Sequence, residues 1–288
     1  MFVTDAPLML GAVAYDPKVV TIWEGFKAYL GKRDLPVDFV LYSNYERQVE
    51  DLLEGRLDLA WNSPLAWVRA QRMARARGIV ATPIVMRDAD RSLTSSILVR
   101  ADDPASELAD LRGRRIGVGA VDSPQATLIP LRFLADAGLD PQTDVAVVHH
   151  DIFAGKHGDH GTAERLCAAA LVAGTVDAAC VLTGNDVAAV TEGVIEEGSV
   201  RTLAVTGSYD HCNFTMAGTG RRADADRFGE LLLEMSYDDP DVRELCELEG
   251  LKRWEPGRTE GYEVLERAVD TFGFYDAAGE ITAADYRY

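Results

Sequence analysis

The succession of a helix and a strand is clearest in residues 43–61, SNYERQVEDLLEGRLDLAW. Residues Tyr45 to Leu53 predict a helix, and Gly55 just beyond them is a typical helix stop. The apolar run Leu57–Trp61 that follows predicts a strand. A helix that leads through a glycine into a strand is the repeating unit of an α/β chain, so this segment predicts an α/β fold.

The alternation of short strands and longer helices continues on both sides of this segment. Strands are predicted at residues 8–14, 37–42, 115–118, 145–149 and 178–182, and helices at residues 18–30, 65–77, 125–137 and 162–173. Each strand–helix unit takes about 25–30 residues, the length of a right-handed βαβ crossover. The first helix shows its period directly, since Val19, Ile22 and Phe26 lie three and four residues apart.

Two longer runs of mixed polar and apolar residues, 91–100 and 201–207, interrupt the alternation. The tail is mainly helical, with helices predicted at residues 227–235, 240–249 and 261–272. We therefore predict two α/β lobes. Residues 1–94 and 207–288 form the first, discontinuous lobe, residues 95–206 form the second, and the two long runs are the strands that cross between them.

The composition is that of an ordinary soluble globular protein, with 288 residues of which 47% are hydrophobic and 26% are charged. The 29 Lys+Arg against 47 Asp+Glu give a formal net charge of −18. This acidity argues against a nucleic-acid partner, whose phosphates need clustered basic residues, and against binding to an anionic membrane surface. No apolar run approaches the roughly 20 residues of a spanning helix, so we expect no membrane insertion.

Cysteine usage and the amino terminus bear on the compartment. Cys167, Cys180, Cys212 and Cys246 form no Cys-x-x-Cys pair, which favours reduced thiols. Residues 1–7 lack the basic start, the apolar stretch and the cleavage site of a secretory leader. As written, the sequence therefore predicts a cytoplasmic protein, and a periplasmic or extracellular one if the amino terminus is that of a trimmed mature form.

Residues 43–61, residues 108–119 (LADLRGRRIGVG) and residues 171–181 (LVAGTVDAACV) resemble the phosphonate-type substrate-binding proteins of ABC transporters. Matching segments extend over most of the chain, including the tail around residues 237–240. The resemblance implies a type II periplasmic-binding-protein fold, in which two lobes with mixed sheets flanked by helices close by hinge motion on a ligand in the cleft. It also implies an ABC transporter permease as partner. Residues 157–161, HGDHG, depart from the shorter family pattern.

Two Ser-Pro steps form the candidate anion site. Ser63-Pro64 follows the strand predicted at residues 57–61, and Ser123-Pro124 follows the strand predicted at residues 115–118. Serine is favoured as the N-cap and proline at the first helical position, so both steps predict helix starts. In open α/β sheets such starts lie at the carboxyl ends of strands, where ligands bind. The free N–H groups and the helix dipole at each start then bind an anion without any lysine.

Further candidate ligand-binding residues lie in or next to the loops at strand ends: Tyr15, Asn44, Tyr45, Asn62, Ser95, Gln125, His157, His160, Asn185 and His211. Such residues offer the hydrogen bonds and aromatic walls of a small-molecule pocket. Asp16, Asp122 and Asp210 would repel a simple inorganic anion, so any of them in the cleft favours a ligand that carries an amine or several hydroxyls. Ser43 with Glu46 fits a helix capping box better than a ligand site.

A metal site is an alternative use of the histidines. His157 and His160 form a His-x-x-His pair that Asp159, His211 or Cys212 could complete for zinc or copper. The pair lies among glycines in a loop and not on a helix face. We therefore favour a polar loop that contacts solvent or ligand, and we predict no metal and no other cofactor.

We predict a non-enzymatic binding protein for a small anionic solute, phosphonate-like or phosphate-ester-like. The alternative is a cytosolic biosynthetic enzyme on the same fold that acts on a small polar metabolite. Its candidate catalytic groups are His157, His160, His211 and Cys212. A direct bond between His211 and Cys212 is not expected, because neighbours on an extended strand point to opposite faces.

Overall fold

The computed structural model describes residues 6–150, 152–218, 220–284 and 286–288. Residues 1–5, on which the expectation about a leader partly rests, lie outside the described residues. The chain forms two compact units. The first consists of the residues up to Arg91, Asp210–Tyr262 and Tyr275–Ile281, and the second of Ser92–Tyr209, Glu263–Phe274 and Thr282–Tyr288.

Strands and helices alternate through most of the described chain. The strands are β1 (Leu8–Val13), β2 (Val37–Tyr42), β3 (Leu59–Asn62), β4 (Ala81–Arg87), β5 (Ser95–Arg100), β6 (Arg115–Val118), β7 (Ala146–His149), β8 (Ala178–Leu182), β9 (Val200–Val205), β10 (Asn213–Ala217) and β11 (Trp254–Pro256). The α-helices are α1 (Lys18–Gly31), α2 (Tyr45–Leu53), α3 (Pro64–Ala76), α4 (Ile129–Asp136), α5 (Thr162–Val172), α6 (Asn185–Thr191), α7 (Arg222–Leu233), α8 (Pro240–Glu249) and α9 (Glu263–Phe272). None of the described helices has the length and apolar character needed to cross a membrane.

The first unit is built on a six-stranded mixed sheet in the order β11-β4-β10-β3-β1-β2. β1 pairs in parallel with β2 and β3, as crossovers through α1 and α2 require. β10 lies antiparallel between β3 and β4, and β11 lies antiparallel at the edge beside β4. The core is rich in aromatic rings, since the Trp61 ring lies 4.9 Å from that of Phe214 and 5.7 Å from that of Trp254.

The second unit is built on a five-stranded mixed sheet in the order β7-β6-β8-β5-β9. β6 pairs in parallel with β7 and β8, and β5 runs antiparallel to β8 and β9. Ile97, Ile116 and Leu134 are fully buried in its core. The predicted fold class, α/β with two mixed sheets flanked by helices, is confirmed.

In each sheet an aspartate holds the start of a strand in place. The Asp58 carboxylate accepts a hydrogen bond from the Met9 N–H at 2.8 Å, and the Asp58 N–H donates to the Met9 carbonyl at 2.9 Å. Asp177 does the same with Arg115, with distances of 2.9 Å and 2.8 Å. Both aspartates follow a helix-ending glycine by three residues. Residues 55–58 (GRLD) and 174–177 (GTVD) are therefore alike because each follows a helix and sets the register of the next strand.

Several elements were not predicted from the sequence pattern, namely β4, β10, β11 and α6. β10 has the sequence NFTMA, whose first four residues alternate between polar and apolar, although the strand is buried along most of its length. β11 has three residues, too few to show a period. We expected the tail to be mainly helical and therefore missed the short alternation in β10.

The division of the chain differs from the expected one in its last part. α9 and the residues from Thr282 belong to the second unit, whereas we expected all residues from 207 onward in the first lobe. Leu265, Ala268 and Val269 form the buried face of α9, and the helix packs on α4. An amphipathic pattern predicts that a helix has a buried face but not which sheet covers it. The chain passes between the units at Arg91–Ser92 and Tyr209–Asp210, near the points expected from the sequence, and three more times between Tyr262 and Thr282.

Candidate functional site

The start of α3 is the first of the two predicted anion sites. β3 ends at Asn62, and Ser63 caps α3, its Oγ accepting a hydrogen bond from the Ala66 N–H at 3.1 Å. Pro64 occupies the first helical position, where no N–H is needed. The amide of Leu65 is then one of the first-turn N–H groups that a helix leaves without an internal partner. The helix start predicted at this Ser-Pro step is present.

Two buried amide side chains lie beside this helix start. Gln48 Nε2 donates to the Trp61 carbonyl oxygen at 2.8 Å and to Asn62 Oδ1 at 2.9 Å. Asn62 Nδ2 and Gln48 Oε1 are buried and have no hydrogen-bond partner among the described residues. A buried N–H without a partner is costly, so Asn62 offers a donor next to Ser63 that a ligand can satisfy.

The second predicted anion site is the helix start after β6. Ser123 Oγ accepts a hydrogen bond from the Ala126 N–H at 3.2 Å, and proline again takes the first position. Residues Pro124–Leu128 form a π-helical turn that leads into α4, where the sequence predicts one continuous α-helix. Within this turn the Gln125 carbonyl accepts a hydrogen bond from Ser95 Oγ at 2.5 Å. The structure therefore brings Ser95, Ser123 and Gln125 together in the second unit.

A glycine-rich loop between β7 and α5 covers this second helix start. Gly158 packs so closely on it that a methyl group added there would lie 2.4 Å from Ser123 Oγ and 2.6 Å from Gln125 Nε2. The backbone is left-handed at Phe153, with φ 61°, and at His157, with φ 52°. This conformation is uncommon for residues that carry side chains. The loop that departs from the family pattern therefore forms a cover over Ser123.

Asp122 fixes this loop. Its Oδ2 accepts hydrogen bonds from the N–H groups of Gly155 and His157 and, at 3.2 Å, from the Tyr286 hydroxyl. Asp122 is fully buried, and its Oδ1 has no hydrogen-bond partner among the described residues. Burial raises the pKa of Asp122, against the opposing effects of His157 and of the loop N–H groups. The second helix start therefore has a carboxyl group beside its N–H donors.

Glu164 is a second buried carboxyl group in this unit, and the sequence analysis missed it. It accepts hydrogen bonds from the Leu182 N–H at 2.7 Å, from Asn185 Nδ2 at 2.6 Å and from Gln125 Nε2 at 3.4 Å. Through Glu164 the structure connects the predicted residues Gln125 and Asn185. In the sequence, an acid in the first turn of a helix is expected simply to stabilise that helix, so no signal marked it.

The capping box expected of Ser43 and Glu46 is wrong. α2 is capped by Asn44, whose Oδ1 accepts a hydrogen bond from the Arg47 N–H at 2.9 Å. Glu46 is fully buried and pairs with Arg69 Nη1 at 2.9 Å. The helix begins one residue later than the capping box requires, which turns Glu46 toward α3. The side-chain oxygen of Asn44 thus caps α2, which is a structural role.

The remaining predicted aromatic and histidine residues are spread through both units. Tyr45 is fully buried in the first unit, and Tyr15 is half-buried against its core. In the second unit His157 is fully buried, whereas His160 is half-buried and stacks on Phe153 at 4.5 Å between ring centroids. No direct bond joins the His157 and His160 side chains among the contacts that the structure describes.

All three aspartates expected to repel an anion have protein partners, and those of Asp122 are given above. Asp16 Oδ1 accepts a hydrogen bond from the Lys18 N–H at 2.9 Å at the start of α1. Asp210 is buried and makes two hydrogen bonds with Arg258, at 2.5 and 2.7 Å. Asp122 alone of the three adjoins a serine-capped helix start.

The expectation that His211 and Cys212 point apart is wrong. His211 Nδ1 lies 3.0 Å from Cys212 Sγ, because the two residues precede β10 in irregular backbone where strand alternation does not apply. Asp90 Oδ1 lies 3.5 Å from the same ring nitrogen. In a catalytic triad the nucleophile and the acid face different ring nitrogens. This group therefore lacks the arrangement by which an imidazole relays a proton from the thiol.

Potential metal ligands come together in the first unit. Within the described part of the chain, Asp90, His211 and Cys212 place three ligand atoms within 4.8 Å of one another. The His-x-x-His pair of His157 and His160 belongs to no such group of three among the described residues.

A surface groove of about 420 Å³ lies between α1 and α8 of the first unit. Tyr29, Arg33, Asp239 and Leu245 are among the residues that line it. It contains none of the predicted ligand-binding residues, so it is distinct from the helix starts described above.

The family of the chain is shown by comparison with known proteins. Residues 12–262 match the family of periplasmic phosphonate substrate-binding proteins of ABC transporters. The phosphate-import protein PhnD of Mycolicibacterium smegmatis is 28% identical over 176 residues, which cover 58% of this chain and 51% of that protein. The chain thus spans about half the length of this curated relative.

Solved structures share the fold. PhnD1 of Prochlorococcus marinus, solved in complex with methylphosphonate, has a TM-score of 0.69 and 17% identity, covering 92% of this chain and 98% of that one. The periplasmic aliphatic sulphonate-binding protein SsuA of Escherichia coli has a TM-score of 0.56 and 19% identity, covering 94% and 87%. The predicted type II periplasmic-binding-protein fold is confirmed. The family match extends over most of the length of this chain, and the chain therefore belongs to the periplasmic phosphonate substrate-binding proteins of ABC transporters.

Proposed function

We propose that this chain is the substrate-binding protein of an ABC transporter and that it binds a small oxyanion through the helix starts at Ser63 and Ser123. The observation that carries the proposal is the same local structure in both units. In each, a strand leads to a helix start with a serine N-cap and a proline at the first position. Each unit supplies one such start.

Helix starts of this kind can bind an anion without the help of a lysine or arginine side chain. The dipole at each start contributes about 0.3–1 kcal/mol, and up to about 2 kcal/mol where it is partly buried. Hydrogen bonds from neutral donors to a charged group contribute roughly 1.5–3 kcal/mol each. Asn62 Nδ2, which has no hydrogen-bond partner in the part of the chain that the structure describes, adds such a donor in the first unit. This supports recognition by directed N–H and O–H groups in a protein whose net charge is −18.

The Asp122 carboxyl group favours a phosphorus oxyanion over a sulfonate. Asp122 Oδ1 is buried with no hydrogen-bond partner among the described residues, and a carboxyl oxygen in this position can accept a hydrogen bond from a ligand that brings a donor. A phosphonate monoanion has a P–OH group, and an aminoalkylphosphonate has an ammonium group, whereas an alkanesulfonate has neither. The relatives named for phosphate import and solved with methylphosphonate support the same ligand class.

Family membership also supports the partner and the compartment. A periplasmic substrate-binding family favours a periplasmic location over the cytoplasmic one expected from the amino terminus. It supports a transporter permease as the partner that receives the ligand.

A ligand panel tests this function. Methylphosphonate, 2-aminoethylphosphonate, phosphate and methanesulfonate are compared by calorimetry and thermal unfolding at constant ionic strength. We expect a phosphorus ligand at one hundred times its Kd to stabilise the chain by about 2.7 kcal/mol and to be recovered unchanged. Methanesulfonate should bind at least about tenfold more weakly, a difference of about 1.4 kcal/mol.

The outcomes separate the parts of the proposal. If none of the four compounds binds, the chain is not a carrier of small oxyanions. Equal affinity for methanesulfonate and methylphosphonate would leave anion binding standing and remove the role of Asp122. Conversion of the ligand during incubation would favour the enzymatic alternative.

A further inference from the structure

The first unit holds a buried cluster that oxyanion binding does not use. Asp90, His211 and Cys212 place a carboxylate oxygen, an imidazole nitrogen and a sulfur within 4.8 Å of one another. Their exposed fractions are 2%, 9% and 2%. We propose that this cluster binds a divalent transition-metal ion, and Zn²⁺ in particular.

The ligand atoms are those that zinc prefers. Thiolate, imidazole and carboxylate are its usual ligands in proteins. The sulfur makes Mg²⁺ and Ca²⁺ unsuitable, because both take oxygen ligands. His211 Nδ1 lies 3.0 Å from Cys212 Sγ and 3.5 Å from Asp90 Oδ1, so the imidazole nitrogen is close to both other ligand atoms. An ion with a Zn–N bond of about 2.0 Å and a Zn–S bond of about 2.3 Å needs the sulfur to move outward by about 0.5 Å.

Backbone hydrogen bonds hold the ligand residues in place. The His211 N–H donates to the Asp90 carbonyl oxygen at 2.8 Å. The Tyr262 hydroxyl donates to the His211 carbonyl oxygen, also at 2.8 Å. Since these bonds do not depend on an ion, the cluster is positioned before the ion arrives, which lowers the entropy lost on binding.

The charges around the cluster suit a divalent ion. Arg87 donates to Asp90 Oδ2 at 2.5 Å and to Oδ1 at 2.9 Å, which is the kind of hydrogen bonding that metal-binding carboxylates receive. A carboxylate oxygen has two acceptor positions, so Oδ1 can bind Arg87 and an ion together. Arg87 also pairs with Glu249 at 3.2 Å, which balances its charge. Asp90 and the Cys212 thiolate then provide two negative charges for the ion.

A three-ligand site leaves one tetrahedral position for water or another small ligand. Within the described residues, the group contains no fourth side chain. The proposal does not rest on anion binding at Ser63 or Ser123, and its test needs no anion.

Metal titration tests the site directly. Chain purified without a histidine tag and stripped with a chelator is titrated with Zn²⁺ by calorimetry and with Co²⁺ by absorption spectroscopy. We expect one equivalent of either ion and, for Co²⁺, a thiolate-to-metal charge-transfer band. The tryptophan fluorescence of the chain should also change on binding. Arg87 donates to Asp90, one of the proposed ligands, and its guanidinium lies 5.2 Å from the Trp61 ring.

Matched variants locate the site. Cys212→Ser and His211→Gln should each weaken Zn²⁺ binding by at least about 100-fold, since loss of an outer-shell partner alone costs 10–100-fold. Cys246→Ser removes another buried thiol of the same unit, and His149→Gln removes an exposed histidine of the other unit. Both controls should bind Zn²⁺ like the unmodified chain.

Several results would overturn the proposal. They are the absence of stoichiometric binding, a Co²⁺ spectrum without a sulfur band, and an equal loss of affinity in Cys212→Ser and Cys246→Ser. If Cys212→Ser does not fold, the Co²⁺ spectrum of the unmodified chain decides, because a charge-transfer band requires a thiolate ligand.

Discussion

Gly158 shapes the candidate site of the second unit through the absence of a side chain. Its backbone is left-handed, with φ 81°, and it contacts Ser123 and Gln125. A β-carbon at this position would press on the hydroxyl that caps the helix start. The position of the loop and the geometry of the helix start are therefore coupled at this one residue.

Gly158→Ala should displace the loop from Ser123. Its methyl group would lie 2.4 Å from Ser123 Oγ, so we expect an overpacking cost of about 1–3 kcal/mol in addition to the left-handed backbone penalty. Methylphosphonate binding should weaken as the helix start shifts. Urea unfolding and calorimetry measure the two effects.

Gly138→Ala is the matched control for this change. Gly138 has nearly the same φ, 83°, and no atom of the described residues lies within 4 Å of a β-carbon added there. It should therefore show only the backbone penalty of about 1–2 kcal/mol, with unchanged ligand affinity. Equal costs in the two variants, together with normal binding by Gly158→Ala, would show that the loop does not control the site.

Residues whose chemistry is local could be predicted from the sequence, and residues assembled by the fold could not. Ser63 and Ser123 were found because an N-cap followed by proline is a signal within two positions. Glu164 was missed because its importance comes from Leu182 and Asn185, which lie on later elements. Long-range partners of this kind leave no spacing in the sequence.

At the scale of elements, residues 55–58 and 174–177 have the same role in the two sheets, which is to fix the register of a strand. Asp58 and Asp177 each join the N-terminal end of a strand through a pair of backbone hydrogen bonds. Asp177 also receives the Arg115 side chain, through Nε at 2.9 Å and Nη2 at 2.7 Å. The hydrogen bonds from Arg115 lower the pKa of Asp177 to about 2.

Asp177→Asn should destabilise the chain in a pH-dependent way. Because the folded-state pKa is lower than that of the unfolded chain, the carboxylate stabilises the fold above about pH 4 and loses this effect as the pH falls toward 2. The Arg115 side chain is 45% exposed, so we expect about 1 kcal/mol at pH 7. Unfolding free energies of both chains between pH 7 and pH 3 give the comparison.

Asp136→Asn provides the control, since Asp136 pairs with Arg132 on the exposed surface of α4 and is itself 51% exposed. We expect a change within about 0.5 kcal/mol at every pH. A loss in Asp177→Asn that stayed constant down to pH 3 would contradict the role given to its ionised form.

Strands buried along most of their length were predicted unevenly, since β6 and β8 have the expected bounds and β10 was missed. β2 and α2 have the bounds expected from the sequence. β10 alternates between polar and apolar over only four residues, in a part of the chain that we expected to be helical. α9 was predicted as a helix, but its place in the second unit depends on packing with α4, which the pattern of one helix does not contain.

At the scale of the whole molecule, an acidic chain is proposed to recognise an anion. A net charge of −18 repels anions at long range, but salt screens exposed charges beyond about 8–10 Å. Recognition then depends on short-range donors, which helix starts supply without basic side chains. The family and the fold are consistent with the binding of an anion by helix starts. The proposed class of ligand depends on individual residues.

The most direct measurement is the affinity for methylphosphonate of Ser63→Gly and Ser123→Gly. Glycine removes the hydroxyl but costs a helix start only a few tenths of a kcal/mol as an N-cap. Asp239→Gly removes the N-cap of α8, outside the candidate site, and is the control. We predict that each serine variant binds about tenfold or more weakly, as loss of a hydrogen bond to a charged group requires, and that the control binds normally. Unchanged affinity in either serine variant would contradict the proposal that both helix starts hold the anion.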